Sequence, residues 1–209
     1  MQLTKFNIKM KQFIIIIVVL ISLQTFSQTP VPVLDLGSHQ GNPQNGAYYQ
    51  DTNFLLNPFV GTYILNENGV YFKIVFQKAI MAFNSKYYED TIYGEYQYSD
   101  QNGNQINTLD VLNQNLQYIW QHNIDGNGII TNNVAPRCDE CLPNEIRLRV
   151  GLFDPVTGYA SSVFIRRIMV YNQEAIQIFI SGQSTGRLEG APPGPIPTVP
   201  HGLYTLIKQ

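Results

Sequence analysis

The residues best placed to do chemistry are Cys138-Asp139-Glu140-Cys141, three scattered histidines and a few carboxylates on one extended stretch. A Cys-x-x-Cys redox motif works at the start of a helix after a strand, where the dipole lowers a thiol pKa. Here it lies in a loop between Pro136 and Pro143, beside two acids that raise that pKa. A zinc site needs four ligands, and the pair supplies two; His122 could join, but no fourth is evident. The favoured reading is a loop stapled by a local Cys138–Cys141 disulfide, or two thiols left free. Asn123–Ile130 imitates the start of a calcium loop, but Asn stands at its first position and Val134 at its twelfth. Asp125-Gly126-Asn127-Gly128 is therefore read as a hairpin turn. His39, His122 and His201 have no Ser, Cys or Glu arranged around them with catalytic logic, so each is read as a surface residue. Glu89 and Glu95 could do the work of a glycosidase pair, but six residues of strand separate them by about 20 Å. Asp90 shares a strand face with Tyr88 and Tyr96, so it is expected to point inward and to take hydrogen bonds from tyrosine hydroxyls. Tyr88, Asp90 and Tyr96 are the candidate ligand-binding residues. No metal site and no cofactor are expected.

These residues sit in a chain rich in Tyr (13) and Phe (11), with 13% charged residues and a formal net charge of −2. Aromatic and β-branched residues suit a pleated, half-buried surface. Met1–Ser27 reads as a signal peptide: Lys5, Lys9 and Lys11 precede the apolar run Phe13–Leu23, and Thr25-Phe26-Ser27 offers a small residue for cleavage. The run is about eleven residues, against roughly twenty for a membrane span. Cleavage removes three bases and no acid, leaving 10 bases against 15 acids. No basic footprint for nucleic acid remains. The mature protein is expected to be exported, periplasmic or extracellular, with no membrane span after cleavage. Its oligomeric state is not legible.

Residues 28–56 have the composition of a flexible linker, with Pro30, Pro32, Gly37, Gly41, Pro43 and Gly46 among polar residues. Tyr48-Tyr49 and Phe54-Leu55-Leu56 are the parts that could dock. From residue 57 to 209 the pattern becomes that of a single β domain. Val60–Leu65 and Val70–Gln77 flank the turn Asn66-Glu67-Asn68-Gly69, with Phe72, Ile74 and Phe76 on one face. Tyr88–Tyr98 is a long strand, Asp100–Gly103 a turn, and Gln105–Leu112 a return. Leu116–His122 reads as a weaker strand around Trp120. Glu145–Phe153 alternates, with Ile146, Leu148, Val150 and Leu152 inside and Arg147 and Arg149 outside. Tyr159–Tyr171, Glu174–Ser181 and Gly202–Lys208 complete the set. Gly190–Pro200 holds five Pro and two Gly and reads as an extended connector. The result is an all-β antiparallel meander of about eight to ten strands, a lipocalin-like barrel with a β-sandwich as the alternative. Barrel closure should pair the strand at Gly61 with a late strand, and Tyr63 should plug that end.

Gly61-Thr62-Tyr63, then Asp90 with Gly94-Glu95-Tyr96-Gln97-Tyr98, then Asn102-Gly103 and Asn107, form one pattern with the ending Ile196-Pro197-Thr198 and Leu203–Gln209. From Phe59 to Gln209 it resembles an uncharacterised family of short exported flavobacterial proteins. Tyr63 departs from it, standing where Trp is expected. The resemblance implies export and a β fold, and no activity. The function expected is non-enzymatic binding of a small apolar or aromatic ligand in the barrel mouth. The alternative is a protein- or glycan-interaction module using an exposed Tyr-rich face that includes Tyr93 and Tyr48-Tyr49.

Overall fold

Among the described residues, eleven strands follow one another along the chain, with single-turn 3₁₀ segments between some of them. They are β1 (Val33–Asp35), β2 (Tyr48–Gln50), β3 (Gly61–Glu67), β4 (Val70–Phe83), β5 (Tyr88–Ser99), β6 (Gln105–Asn107), β7 (Ile124–Ile130), β8 (Arg147–Asp154), β9 (Tyr159–Val170), β10 (Gln173–Gly182) and β11 (Gly202–Lys208). The computed structural model describes residues 31–38, 41–131, 136–182 and 194–209. The leader Met1–Ser27, His39, Val134 and the start of the Pro-rich connector lie outside the described residues. Among the described residues, no helix is long and apolar enough to cross a membrane.

Eight of these strands close a barrel in the order β3-β4-β5-β7-β8-β9-β10-β11 and back to β3, all antiparallel. The closing contact is the expected one: β11 pairs with β3 through Ile207–Ile64 and Lys208–Tyr63. Asn68 and Gly69 both take positive φ, +51° and +71°, which gives the β3–β4 hairpin the turn whose twist matches its strands. Closure leaves no free edge in the ring.

β5 organises the rest. It is longer than most of its neighbours, so its far edge is shared among three partners. β2 pairs in parallel at Tyr88–Glu89, β7 at Ile92–Gly94, and β6 at Gln97–Ser99. Gly94 is required where β4 crosses close: a Cβ there would meet the Val75 carbonyl at 2.3 Å.

The alternating faces meet in the interior as expected. Phe72, Ile74, Phe76, Ile92, Tyr96, Leu148, Ile165, Ile176, Ile178 and Ile180 are all buried. Phe72 meets Tyr98 and Tyr204 edge-on at 5.5 and 5.4 Å. Such pairs contribute about 0.5–1.5 kcal/mol each beyond area burial. Tyr63 is buried at the barrel end, and its hydroxyl donates to the Phe59 carbonyl at 3.1 Å.

Several elements differ from the sequence reading. The described part of 28–56 is not structureless: β1 and β2 lie in it, and Tyr48, Tyr49, Asp51 and Leu56 are buried. Asp125–Gly128 is no turn but a bulge inside β7. Gly126 lets the backbones approach, since a Cβ there would meet Val150 Cα at 2.9 Å. A turn and a bulge use the same Gly and Asn residues, and only the neighbouring strands distinguish them. Around Trp120 the chain forms a 3₁₀ turn, Ile119–Gln121, and the return after Asp100–Gly103 shortens to β6 followed by Leu109–Val111. Arg147 is buried while Ile146 is 37% exposed. Arg147 does point out of the barrel, but the Cys138–Cys141 loop covers it, and its Nη1 donates to the Pro136 carbonyl at 2.7 Å.

Candidate functional site

The segment Asp51–Phe59 becomes a cap on one barrel end because two buried carboxylates hold it. Asp51 accepts from the Leu55 and Leu56 amides at 2.7 and 3.0 Å and from Lys78 Nζ at 2.8 Å. Asp90, on β5, accepts from the Tyr48 hydroxyl at 2.6 Å, the Asp51 amide at 3.0 Å and the Met81 amide at 3.0 Å. Burial and then Asp90 raise the Tyr48 hydroxyl pKa, so that phenol stays a donor. Leu56 and Phe59 fill the barrel end beneath the cap.

Phe54 is left outside, at positive φ and 66% exposed, with Lys78 Nζ 5.9 Å from its ring centre. It forms one wall of a cleft of about 610 Å³ at the barrel mouth. Leu55, Pro58 and Phe59 continue that wall; Asn144, Glu145 and Ile146 before β8, with Arg167, Ile168 and Met169 on β9, form the other. Met169 is 63% exposed. Apolar walls with one Arg and one Glu can hold an uncharged or aromatic molecule and orient its polar end. Among the described residues, no Ser, Thr, Cys, Lys or His lines the cleft, and its one carboxylate is Glu145.

The residues singled out from sequence fall elsewhere. Tyr88, Asp90 and Tyr96 do share a face of β5, but none lines this cleft. Tyr88 is half-buried with its ring 5.0 Å from that of Phe83. Tyr96 is fully buried and donates to the Phe153 carbonyl at 3.0 Å. Burial raises its hydroxyl pKa, with Asp154 and Glu95 adding to the effect. Asp90 is structural, as its three donors require. Cys138 and Cys141 are bonded to each other.

Sequence reasoning missed a polar cluster on the outer side of β5. His122, expected at the surface, is buried with Nδ1 2.9 Å from Glu95 Oε1. Asn123 donates to the same carboxylate from its amide nitrogen at 3.2 Å and its Nδ2 at 2.7 Å. The Tyr93 ring lies over His122 at 4.6 Å. Both Glu95 oxygens are thus occupied by protein, and the cluster locks the chain entering β7 onto β5. Beside it, burial and then Glu89 push the Asp125 carboxyl up to about 6, with His122 pulling the other way. Glu89 itself accepts from Asn84 and Asn127 at 2.9 and 2.6 Å. Only the β5–β7 pairing brings these residues together, so no local signal could have found them.

Fold and site together define a closed eight-stranded antiparallel β-barrel with a capped end and an apolar cleft at its mouth. The chain belongs to DUF6705, a family of unknown function, which it matches over residues 10–209. No curated protein and no solved structure matches it.

Proposed function

We propose that this protein is an exported, non-catalytic binding barrel that takes a small apolar or aromatic molecule in the mouth cleft. The observation that carries the reading is the exposed apolar pair Phe54 and Met169 facing a cleft of about 610 Å³ at the mouth of a barrel whose interior is packed. Exposed large apolar side chains gathered round a concavity favour ligand burial. The apolar leader-like run Phe13–Leu23 supports export.

The test is titration with an environment-sensitive apolar fluorophore, followed by native mass spectrometry for co-purified lipid. Phe54→Ala and Met169→Ala remove exposed side chains, so both variants should fold normally and bind the fluorophore at least about tenfold more weakly, as loss of a large apolar contact buried on binding implies. Unchanged affinity in both variants would overturn the assignment.

A second reading, glycan binding on the outer face, is favoured by one observation. Tyr118 and Trp120 stack at 5.2 Å with Trp120 53% exposed, beside Phe83 and the Glu89 and Asp125 carboxylates. Tyr48 and Tyr49, which the sequence offered for such a face, are buried and do not contribute. Trp120→Ala abolishing retention on an immobilised glycan, with fluorophore binding intact, would move the assignment there.

A further inference from the structure

The Cys138–Cys141 loop lies against the outer face of β9, β10 and β11, and β9 contributes Arg166 beneath it. Arg166 Nη1 is 3.2 Å from Cys138 Sγ and 3.6 Å from Cys141 Sγ. On the Cys138 side opens a cleft of about 330 Å³ walled by Phe164, Phe179 and Leu203. On the Cys141 side opens another of about 370 Å³, bordered by Leu142 and Pro143. Both cysteines are half-buried. We propose that Cys138–Cys141 is a thiol–disulfide exchange site, with Arg166 holding the sulfur that leaves as thiolate.

Thiol–disulfide exchange is faster when the protein stabilises the departing thiolate. The surrounding charges favour this. The acids that argued against redox chemistry in the sequence, Asp139 and Glu140, have side chains 75% and 74% exposed, so water screens them. Asp139 is also paired with Arg137 at 2.5 Å. The Arg166 side chain is only 15% exposed and touches sulfur directly. Glu145, 3.5 Å from Arg166 Nε, and Glu140, 3.7 Å from its Nη1, draw on the same guanidinium without a hydrogen bond to Nε. Arg147 lines both clefts. Glu145 is itself only 19% exposed and shares the guanidinium, but it approaches Nε, whereas Nη1 makes the direct N–H···S contact with Cys138.

The thiolate of an incoming dithiol enters beside Pro143 and attacks Cys141 Sγ. The S–S bond breaks, and its electron pair leaves on Cys138 Sγ, the sulfur nearer Arg166. The dithiol's second thiolate then attacks its own sulfur in the mixed disulfide and expels Cys141 as thiolate. The dithiol is oxidised to a disulfide, the Cys pair is reduced, and the two thiol protons pass to solvent or to the Cys pair. Exchange with a small-molecule disulfide such as oxidised glutathione restores the bond. The apolar border of Leu142 and Pro143 on the Cys141 side suits a dithiol peptide with apolar flanks over glutathione alone.

The experiment is equilibration of the purified protein in glutathione buffers of graded composition, with thiols trapped and counted by mass spectrometry. The pair should pass from oxidised to reduced within that series. Arg166→Gln should shift the midpoint about tenfold toward the disulfide, as a one-unit rise in thiol pKa implies, and Arg166→Lys should recover part of it. In reduced protein, thiolate absorbance against pH should show one thiol titrating below its ordinary range, and Arg166→Gln should restore that range. A dithiol peptide with apolar flanks should be oxidised faster than glutathione. A bond that survives excess reduced glutathione in the unmodified protein, or a midpoint that Arg166→Gln leaves unmoved, would make it a staple and overturn the proposal. If Arg166→Gln does not fold, the unmodified protein and Arg166→Lys still decide.

Discussion

Asp90 carries the attachment of the N-terminal segment, and its removal has a calculable cost. Three donors converge on it: the Tyr48 hydroxyl, the Asp51 amide and the Met81 amide. Asp90→Ala leaves them without an acceptor at a residue that is 3% exposed. An orphaned buried donor costs about 1–3 kcal/mol. Met81 is partly exposed, so water replaces some of its loss. The expected total is about 3–5 kcal/mol, a large share of the roughly 5–15 kcal/mol available to a domain. Tyr48→Phe removes a single charge-assisted bond and should cost about 1.5–3 kcal/mol. Because the two residues share that bond, the double variant should cost less than the sum of the singles, by about 1–2 kcal/mol. Urea unfolding followed by circular dichroism measures all three. Limited proteolysis supplies a local readout, since loss of Asp90 frees residues 51–59 first. Less than about 1 kcal/mol lost in Asp90→Ala, with the segment still resistant to protease, would refute the tether and with it the cap that shapes the mouth cleft.

Tyr63→Ala should cost about 3–5 kcal/mol in urea unfolding, because a buried aromatic at the barrel end leaves a cavity. Tyr63→Phe should cost only about 1 kcal/mol, the hydrogen bond to Phe59. Normal stability in the Ala variant would mean the core lies elsewhere. Asp125 is pushed up to about 6 from an ordinary 3.8, first by burial and then by Glu89. The folded state therefore holds a proton that the unfolded chain has released. Its contribution is fully present below about pH 4 and is lost as pH rises through about 6, at most about 3 kcal/mol. Asp125→Asn should make the protein more stable at neutral pH and flatten the thermal-melting profile across that window; an unchanged profile would place the carboxyl in water.

Much of the barrel was legible because its determinants are local. Alternation along β4, β8 and β10 sorts Phe72, Leu148 and Ile176 to the inside with no knowledge of their partners. Asn68-Gly69 specifies its hairpin through the backbone angles it permits. The errors of burial share one cause. His122, Arg147 and Glu95 all lie outside the barrel wall, where alternation predicts solvent, and each is covered by another stretch of chain. In the described part of 28–56 the composition is polar, but Asp90 and Lys78 hold Asp51 from a distance in sequence.

Local chemistry along the chain was enough to specify the all-β class, the meander and the inward direction of Asp90. Each follows from period-two alternation, turn chemistry or the need of a buried carboxylate for donors. Folding had to settle that Asp125–Gly128 is a bulge, that Glu95 meets His122, that Phe54 walls a cleft and that Arg166 lies against the Cys138–Cys141 sulfurs. These are contacts between residues far apart in the chain. Which segment lies over an outer face depends on how the closed barrel routes its loops, and no local pattern carries that information.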